Sequence, residues 1–231
     1  MPKTGHRISK HQMKEDSFVT LAFRAQDYIQ HHQKPLIIAF VALVVLVVGS
    51  WLWTSAGQRS EVAAEAELGA AFVRVQQQDM AGAAQVYERV ISDFGGTVAA
   101  REALFYLSNL YFVEKRWQES IEAFDRWARQ HGGDDAPRKA ASLAAIGDAY
   151  QALADYDQSI AAYEEAMGVG GGGFLIGDIC IGAARSALLK GDKEAAVGYA
   201  DRLFESKGNA PSMTILRELL ALNGIEYTRG M

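Results

Sequence analysis

Residues 103–130 read ALFYLSNLYFVEKRWQESIEAFDRWARQ, and residues 142–169 read SLAAIGDAYQALADYDQSIAAYEEAMGV. Laid over one another, Leu104 falls on Leu143, Leu107 on Ile146, Ser108 on Gly147 and Tyr111 on Tyr150. Trp117 then falls on Tyr156, Ser120-Ile121 on Ser159-Ile160, and Phe124 on Tyr163, always 39 residues apart. Two weaker copies flank the pair. Around Ala71 the small positions are Ala71 and Ala83, with Tyr87 as the late aromatic; around Ala184 they are Ala184 and Ala196, with Gly191 in the turn. The equivalent residues 71, 108, 147 and 184 are spaced 37, 39 and 37 apart. Self-similarity at such a period is the mark of a stacked-repeat architecture. Small residues let two helices approach closely, and aromatics fill the space between successive copies.

These positions resemble the tetratricopeptide repeat, a helix–turn–helix unit of about 34 residues. The longer spacing here goes into the loops "DFGGT", "HGGDDAP" and "GVGGGGF". The last of these lacks the preceding strand and following Gly-Lys-Ser/Thr of a phosphate loop, and it reads as a flexible connector. After Pro211, the spacing of Met213, Leu216, Leu219 and Leu220 predicts a capping helix for the open end of the solenoid. Alanine is plentiful, Pro35, Pro137 and Pro211 are widely spaced, and strand-like alternation is absent. The fold class is therefore all-α: an N-terminal amphipathic helix, one transmembrane helix, and an α-solenoid of about four helix pairs.

The membrane helix is read from Leu36 to Trp53, 18 residues without a charge. A helix of that length covers about 27 Å, close to the roughly 30 Å of a hydrocarbon core. The apolar region of a secretory signal is shorter, about 7–15 residues, and 35 residues precede a run of this length. Thr54-Ser55-Ala56 still offers a cleavage site, but length and flanks favour an uncleaved anchor. Trp51 and Trp53 suit the aromatic belt at the interface. Upstream, Ser17 to His32 reads as an amphipathic helix whose apolar stripe includes Phe18, Leu21 and Tyr28, for the membrane surface or a partner. His31-His32 lacks acids or cysteines at ligand spacing and reads as interfacial.

Charge sets orientation. Residues 1–34 hold six Lys/Arg against three Asp/Glu, a net +3, which leaves 17 against 25, or −8, for the remainder. The excess of Lys and Arg marks the cytoplasmic side. Residues 1–34 are thus expected as a cytoplasmic arm, 35–54 as the anchor and 55–231 as a repeat domain outside, which in a bacterium is the periplasm. A remainder of −8 argues against nucleic acid as partner. Cys180 is the one cysteine, so no intramolecular disulfide forms, and its small apolar neighbours mark it as core. His131 is placed in a Gly-Asp loop. No HExxH, GxSxG, Cys–His or zinc spacing is present. Acid pairs such as Asp134-Asp135 and Glu164-Glu165 read as surface charge. The chain is expected to be a non-enzyme with no cofactor, no metal and no small-molecule substrate.

What the resemblance implies is protein binding, through the groove lined by the first helix of each repeat. Carried over, the first copy offers Phe72 and Val75; the second offers Phe105, Tyr106, Asn109 and Phe112. The third offers Asp148 and Gln151, and the fourth Asp178 and Arg185. Phe105 and Phe112 are equally placed to be inter-repeat core. The layout of arm, single anchor and alanine-rich repeat domain also resembles the ancillary subunit of the SecYEG translocon. That family implies an adaptor or chaperone-like role with exported chains as partners. The alternative is a fixed structural or assembly subunit of a large integral-membrane complex, energy-converting or photosynthetic, with other subunits as partners.

Overall fold

The computed structural model describes residues 33–169, 172–206 and 210–229, and all secondary structure among them is helical. The arm, with Phe18, Leu21, Tyr28 and the expected helix over 17–32, lies outside the described residues. The helices are α1 (Gln33–Gln76), α2 (Met80–Asp93), α3 (Val98–Val113), α4 (Trp117–His131), α5 (Ala136–Ala152), α6 (Tyr156–Gly168), α7 (Ile176–Lys190), α8 (Lys193–Glu205) and α9 (Ala210–Leu222). The chain divides into two compact units after Gln58.

In the first unit the apolar run is helical and exposed along its length, from Ile37 to Trp53. It is the one helix among the described residues long and apolar enough to cross a membrane, and it is compatible with a single-pass anchor. Thr54 Oγ1 donates to the carbonyl of Ser50 and Ser55 Oγ to that of Leu52, both at 3.0 Å. Hydroxyls folded back in this way need no water, as an apolar surrounding requires. The expected boundary at 54/55 carries no break in the helix.

The second unit, from Arg59, is built of four helix pairs and a fifth single helix. The last turns of α1 pair with α2, then α3 with α4, α5 with α6, and α7 with α8. The first helix of each pair carries a fully buried small residue: Ala71, Ser108, Gly147, Ala184. The second carries another, Ala83, Ser120, Ser159 or Ala196, each at 0% exposure. In the central pairs these residues are hydrogen bonded across the crossing. Ser120 Oγ donates to Ser108 O at 3.1 Å, and Ser159 Oγ to Gly147 O at 2.8 Å. The same bond in two copies is direct structural support for the 39-residue alignment.

The turn inside each pair also repeats, in its backbone. Gln78, Lys115, Ala154 and Gly191 have φ of 62°, 60°, 59° and 89°. The next residue sends its N–H back five residues, from Asp79 to Arg74 O, Arg116 to Tyr111 O, Asp155 to Tyr150 O and Asp192 to Ala187 O. This is the Schellman ending, which satisfies the last carbonyls of one helix. Three of those residues then cap the following helix: Asp79, Asp155 and Asp192 accept from the N–H of Gly82, Gln158 and Ala195. Arg116 cannot accept; it lies over the Tyr111 ring at 4.2 Å and pairs with Glu119 and Glu114. Helix α9 ends on the same turn, with Gly224 at φ 72° and Ile225 N–H on Leu220 O. It buries Met213, Leu216 and Leu220 against α7 and α8.

Buried side chains fall into two clusters. One joins Ala64 to Tyr111, and the other joins Ile121 to Tyr227. Cys180 belongs to the second; it is fully buried, and burial pushes its thiol up to about 11. His131 is the last residue of α4, not a loop residue, because its ring packs at 6.1 Å from Trp127. Burial and then Arg101 hold its pKa below the usual value. In the glycine-rich connector, Gly172–Leu175 forms a 3₁₀ turn packed on α5, so this part of the segment read as a flexible connector is built structure.

One tie was not visible in the sequence. Both carboxylate oxygens of Glu61 accept from the first amides of α3, Val98 and Ala99, each at 2.9 Å. A carboxylate there satisfies two orphan donors and the positive end of the helix dipole. Glu61→Ala is expected to cost about 0.5–2 kcal/mol, as loss of a helix cap does. Thermal unfolding of the full chain in detergent checks it; an unmoved midpoint would show that the contact is not formed.

Candidate functional site

The 37- and 39-residue spacings place Phe72, Asn109, Asp148 and Arg185 at one equivalent position, one residue past the buried small residue of each first helix. All four are exposed. They form a row across α1, α3, α5 and α7, and two recesses open along it.

The first recess holds about 240 Å³ and is walled by Phe72 and Val75 of α1, Met80 and Tyr87 of α2, and Tyr106, Asn109, Leu110 and Val113 of α3. Its floor is aromatic. The Phe72 ring meets Tyr106 edge-on at 4.9 Å and Tyr87 at 6.3 Å, while Tyr87 and Tyr106 stack at 6.2 Å. Burial raises the pKa of Tyr87 above that of a free phenol. The rim is open: Phe72 is 37% and Val113 74% exposed. Apolar surface left in a concavity is what a partner side chain would cover.

The second recess, about 230 Å³, is lined by Ala144 and Asp148 of α5, Tyr163 of α6, and Asp178, Ile181, Gly182 and Arg185 of α7. Adding 76 residues to Phe72, Tyr87, Tyr106 and Asn109 gives Asp148, Tyr163, Gly182 and Arg185. It is the same place two repeats on, with different chemistry. Where Tyr106 supplies a ring, Gly182 leaves room for the Tyr163 ring, which a Cβ on Gly182 would meet at 2.5 Å. Where Phe72 stands, Asp148 accepts from Tyr163 Oη at 2.5 Å.

Asp148 is exposed as a residue, yet desolvation of its carboxyl by the surrounding protein raises its pKa, with a lesser push from Asp178, and outweighs the lowering by Tyr163 and Arg185. A carboxyl that binds its proton more tightly when folded opposes folding once ionised, so stability declines as pH rises through its folded pKa. The melting temperature of the parent relative to Asp148→Asn is therefore expected to fall as pH rises from about 4. Thermal melts of both proteins across that range check it, and parallel curves would contradict the environment described.

The remaining expected groove residues have other contacts. Phe105 meets Tyr106 edge-on at 6.3 Å and also packs on Phe124 at 6.0 Å and Trp127 at 5.3 Å, with the Arg138 guanidinium 5.1 Å from its ring. Phe112 meets Trp117 at 5.2 Å and packs on the larger core cluster. Gln151 Nε2 donates to Ser186 Oγ at 2.6 Å and to Gly182 O at 3.3 Å, and Ser186 Oγ is 2.8 Å from Ser159 Oγ. That network ties the third pair to the fourth. Sequence reasoning missed Met80, Leu110 and Val113, and it read Tyr87 as the late aromatic matched with Tyr163 without placing it in a recess. Asp134-Asp135 and Glu164-Glu165 are partly structural, since Asp135 caps α5 and Glu164 accepts from Tyr199 Oη at 2.9 Å.

Residues 100–169 match the family model described as tetratricopeptide repeat. Comparison with curated proteins found no match. Among solved structures, nearly identical TPR-like repeats from Podosopora anserina superpose with a TM-score of 0.53 at 16% identity, over 69% of this chain and 84% of that one. MamA from AMB-1 gives 0.51 at 16% identity, over 66% and 78%. BtubC (BKLC) from P. vanneervenii gives 0.54 at 14% identity, over 74% and 69%. In sequence over residues 100–169, and in fold over the helix pairs, the chain is similar to tetratricopeptide-repeat proteins.

Proposed function

We propose that the protein is a membrane-anchored, non-enzymatic scaffold that holds partner proteins on the row of first helices, with the aromatic recess at Phe72 as a main contact. The observation that carries this is an open apolar recess at the register where the repeats display one exposed residue each. The finer reading is a single-pass protein of the bacterial inner membrane, with its repeat domain in the periplasm, acting as an adaptor or chaperone-like subunit at the translocon. The Lys/Arg-rich flank before the apolar helix and the layout of arm, anchor and repeats support that reading.

A photoreactive amino acid placed at Phe72 or at Val113 of the full chain in native membranes tests it. Irradiation is expected to give one common adduct from both positions and none from Glu122, on α4. Adducts that are equal at all three positions, or absent from Phe72 and Val113, would overturn the scaffold reading. An adduct with a membrane protein other than a translocon subunit or exported chain would overturn only the translocon role.

A further inference from the structure

The two recesses occupy the same place in pairs one and three, yet one is apolar and the other carries two carboxylates and a guanidinium. Asp148 and Asp178 face Arg185, no ion pair joins Arg185 to either of them, and the recess has a net charge of −1. The chain beyond residue 34 carries −8. Along the row the display runs from Phe72 through Asn109 to Asp148 and Arg185, from apolar to charged.

From this asymmetry we infer the class of segment that the row takes, a deduction that rests on the scaffold reading. It is an extended stretch of a partner protein bearing one large apolar side chain and, some six residues away, a Lys or Arg. The apolar side chain enters the Phe72 recess, where it covers the rings of Phe72 and Tyr106. The basic side chain enters the second recess against Asp148 and Asp178, favoured by the charge of the whole domain. Taking about 10 Å for each step between successive first helices, two steps along the row span roughly 20 Å. An extended chain rises about 3.3 Å per residue and crosses that distance in about six. Because the two recesses differ, the row binds such a segment in one direction only.

The test uses the full chain in detergent and Gly/Ser peptides with one Leu and one Lys set three, six or twelve positions apart, in both orders. Each peptide has a twin with Glu in place of Lys, and affinities are read by fluorescence anisotropy. Binding is expected to be tightest at a separation of six in one order, and at least tenfold weaker for the Glu twin. Asp148→Asn with Asp178→Asn should abolish the preference for Lys while the dependence on Leu remains. The side-chain amide oxygen that Asp148→Asn introduces can still accept from Tyr163, and a melt confirms folding. Equal affinity for Lys and Glu peptides, or a Lys preference that survives the double substitution, overturns the inference and leaves the scaffold reading standing. No peptide binding up to millimolar concentration, with Phe72→Ser also leaving photoadduct formation at Val113 unchanged, overturns both.

Discussion

Tyr163→Ala is expected to remove about 3–5 kcal/mol from the stability of the repeat domain, the usual cost of deleting a buried ring. The ring is 1% exposed and sits between two helices of different pairs. A Cβ on Gly147 would approach it to 2.9 Å and one on Gly182 to 2.5 Å. Both backbones have closed on the ring, and the Ser159–Ser186–Gln151 network holds them beside it, so the space left by alanine has little freedom to collapse. Tyr163→Phe separates packing from polarity: losing only the bond to Asp148 should cost about 1 kcal/mol. Gly147→Leu and Gly182→Ala overfill the same contact from either side, at about 1–3 kcal/mol. Urea unfolding of the full chain in detergent measures all four. A parent-like midpoint for Tyr163→Ala would mean that the third and fourth pairs do not meet through this ring.

The neighbours Phe105 and Tyr106 are both half-buried and should separate by what they pack on. Phe105 packs against Phe124 and Trp127, so Phe105→Ala is expected to lose about 3 kcal/mol of stability. Tyr106→Ala should cost less, because its ring forms the wall of an open recess, yet it should weaken the photoadduct from Val113. Unfolding and crosslinking on the same preparations give both readings. A stable Phe105→Ala with lost crosslinking would reverse the two roles.

That pair also shows why part of the site was legible in the sequence and part was not. Adjacent residues on a helix point about 100° apart, so at most one of two neighbouring aromatics faces the groove, and periodicity alone does not say which. The alignment of copies rests on small residues buried at helix crossings, where only size matters, and those positions were plain in the sequence. The turns were hidden because Gln78, Lys115 and Ala154 hold a left-handed backbone usually signalled by glycine. The cap that Glu61 provides joins residues 37 apart, and no local rule connects an acid in one helix to the amides of another. Gln151 looked like a groove residue by register, but its amide is spent on the next pair.

Four copies of one unit in a single chain form an internal record of what the architecture tolerates. At 71, 108, 147 and 184 the record reads Ala, Ser, Gly, Ala; one step further on it reads Phe, Asn, Asp, Arg. Of the two adjacent columns, one is confined to small residues by the helix behind it, and the other takes apolar, amide, acidic and basic side chains in turn. Within this one chain, four different side chains are thus presented by the same backbone position.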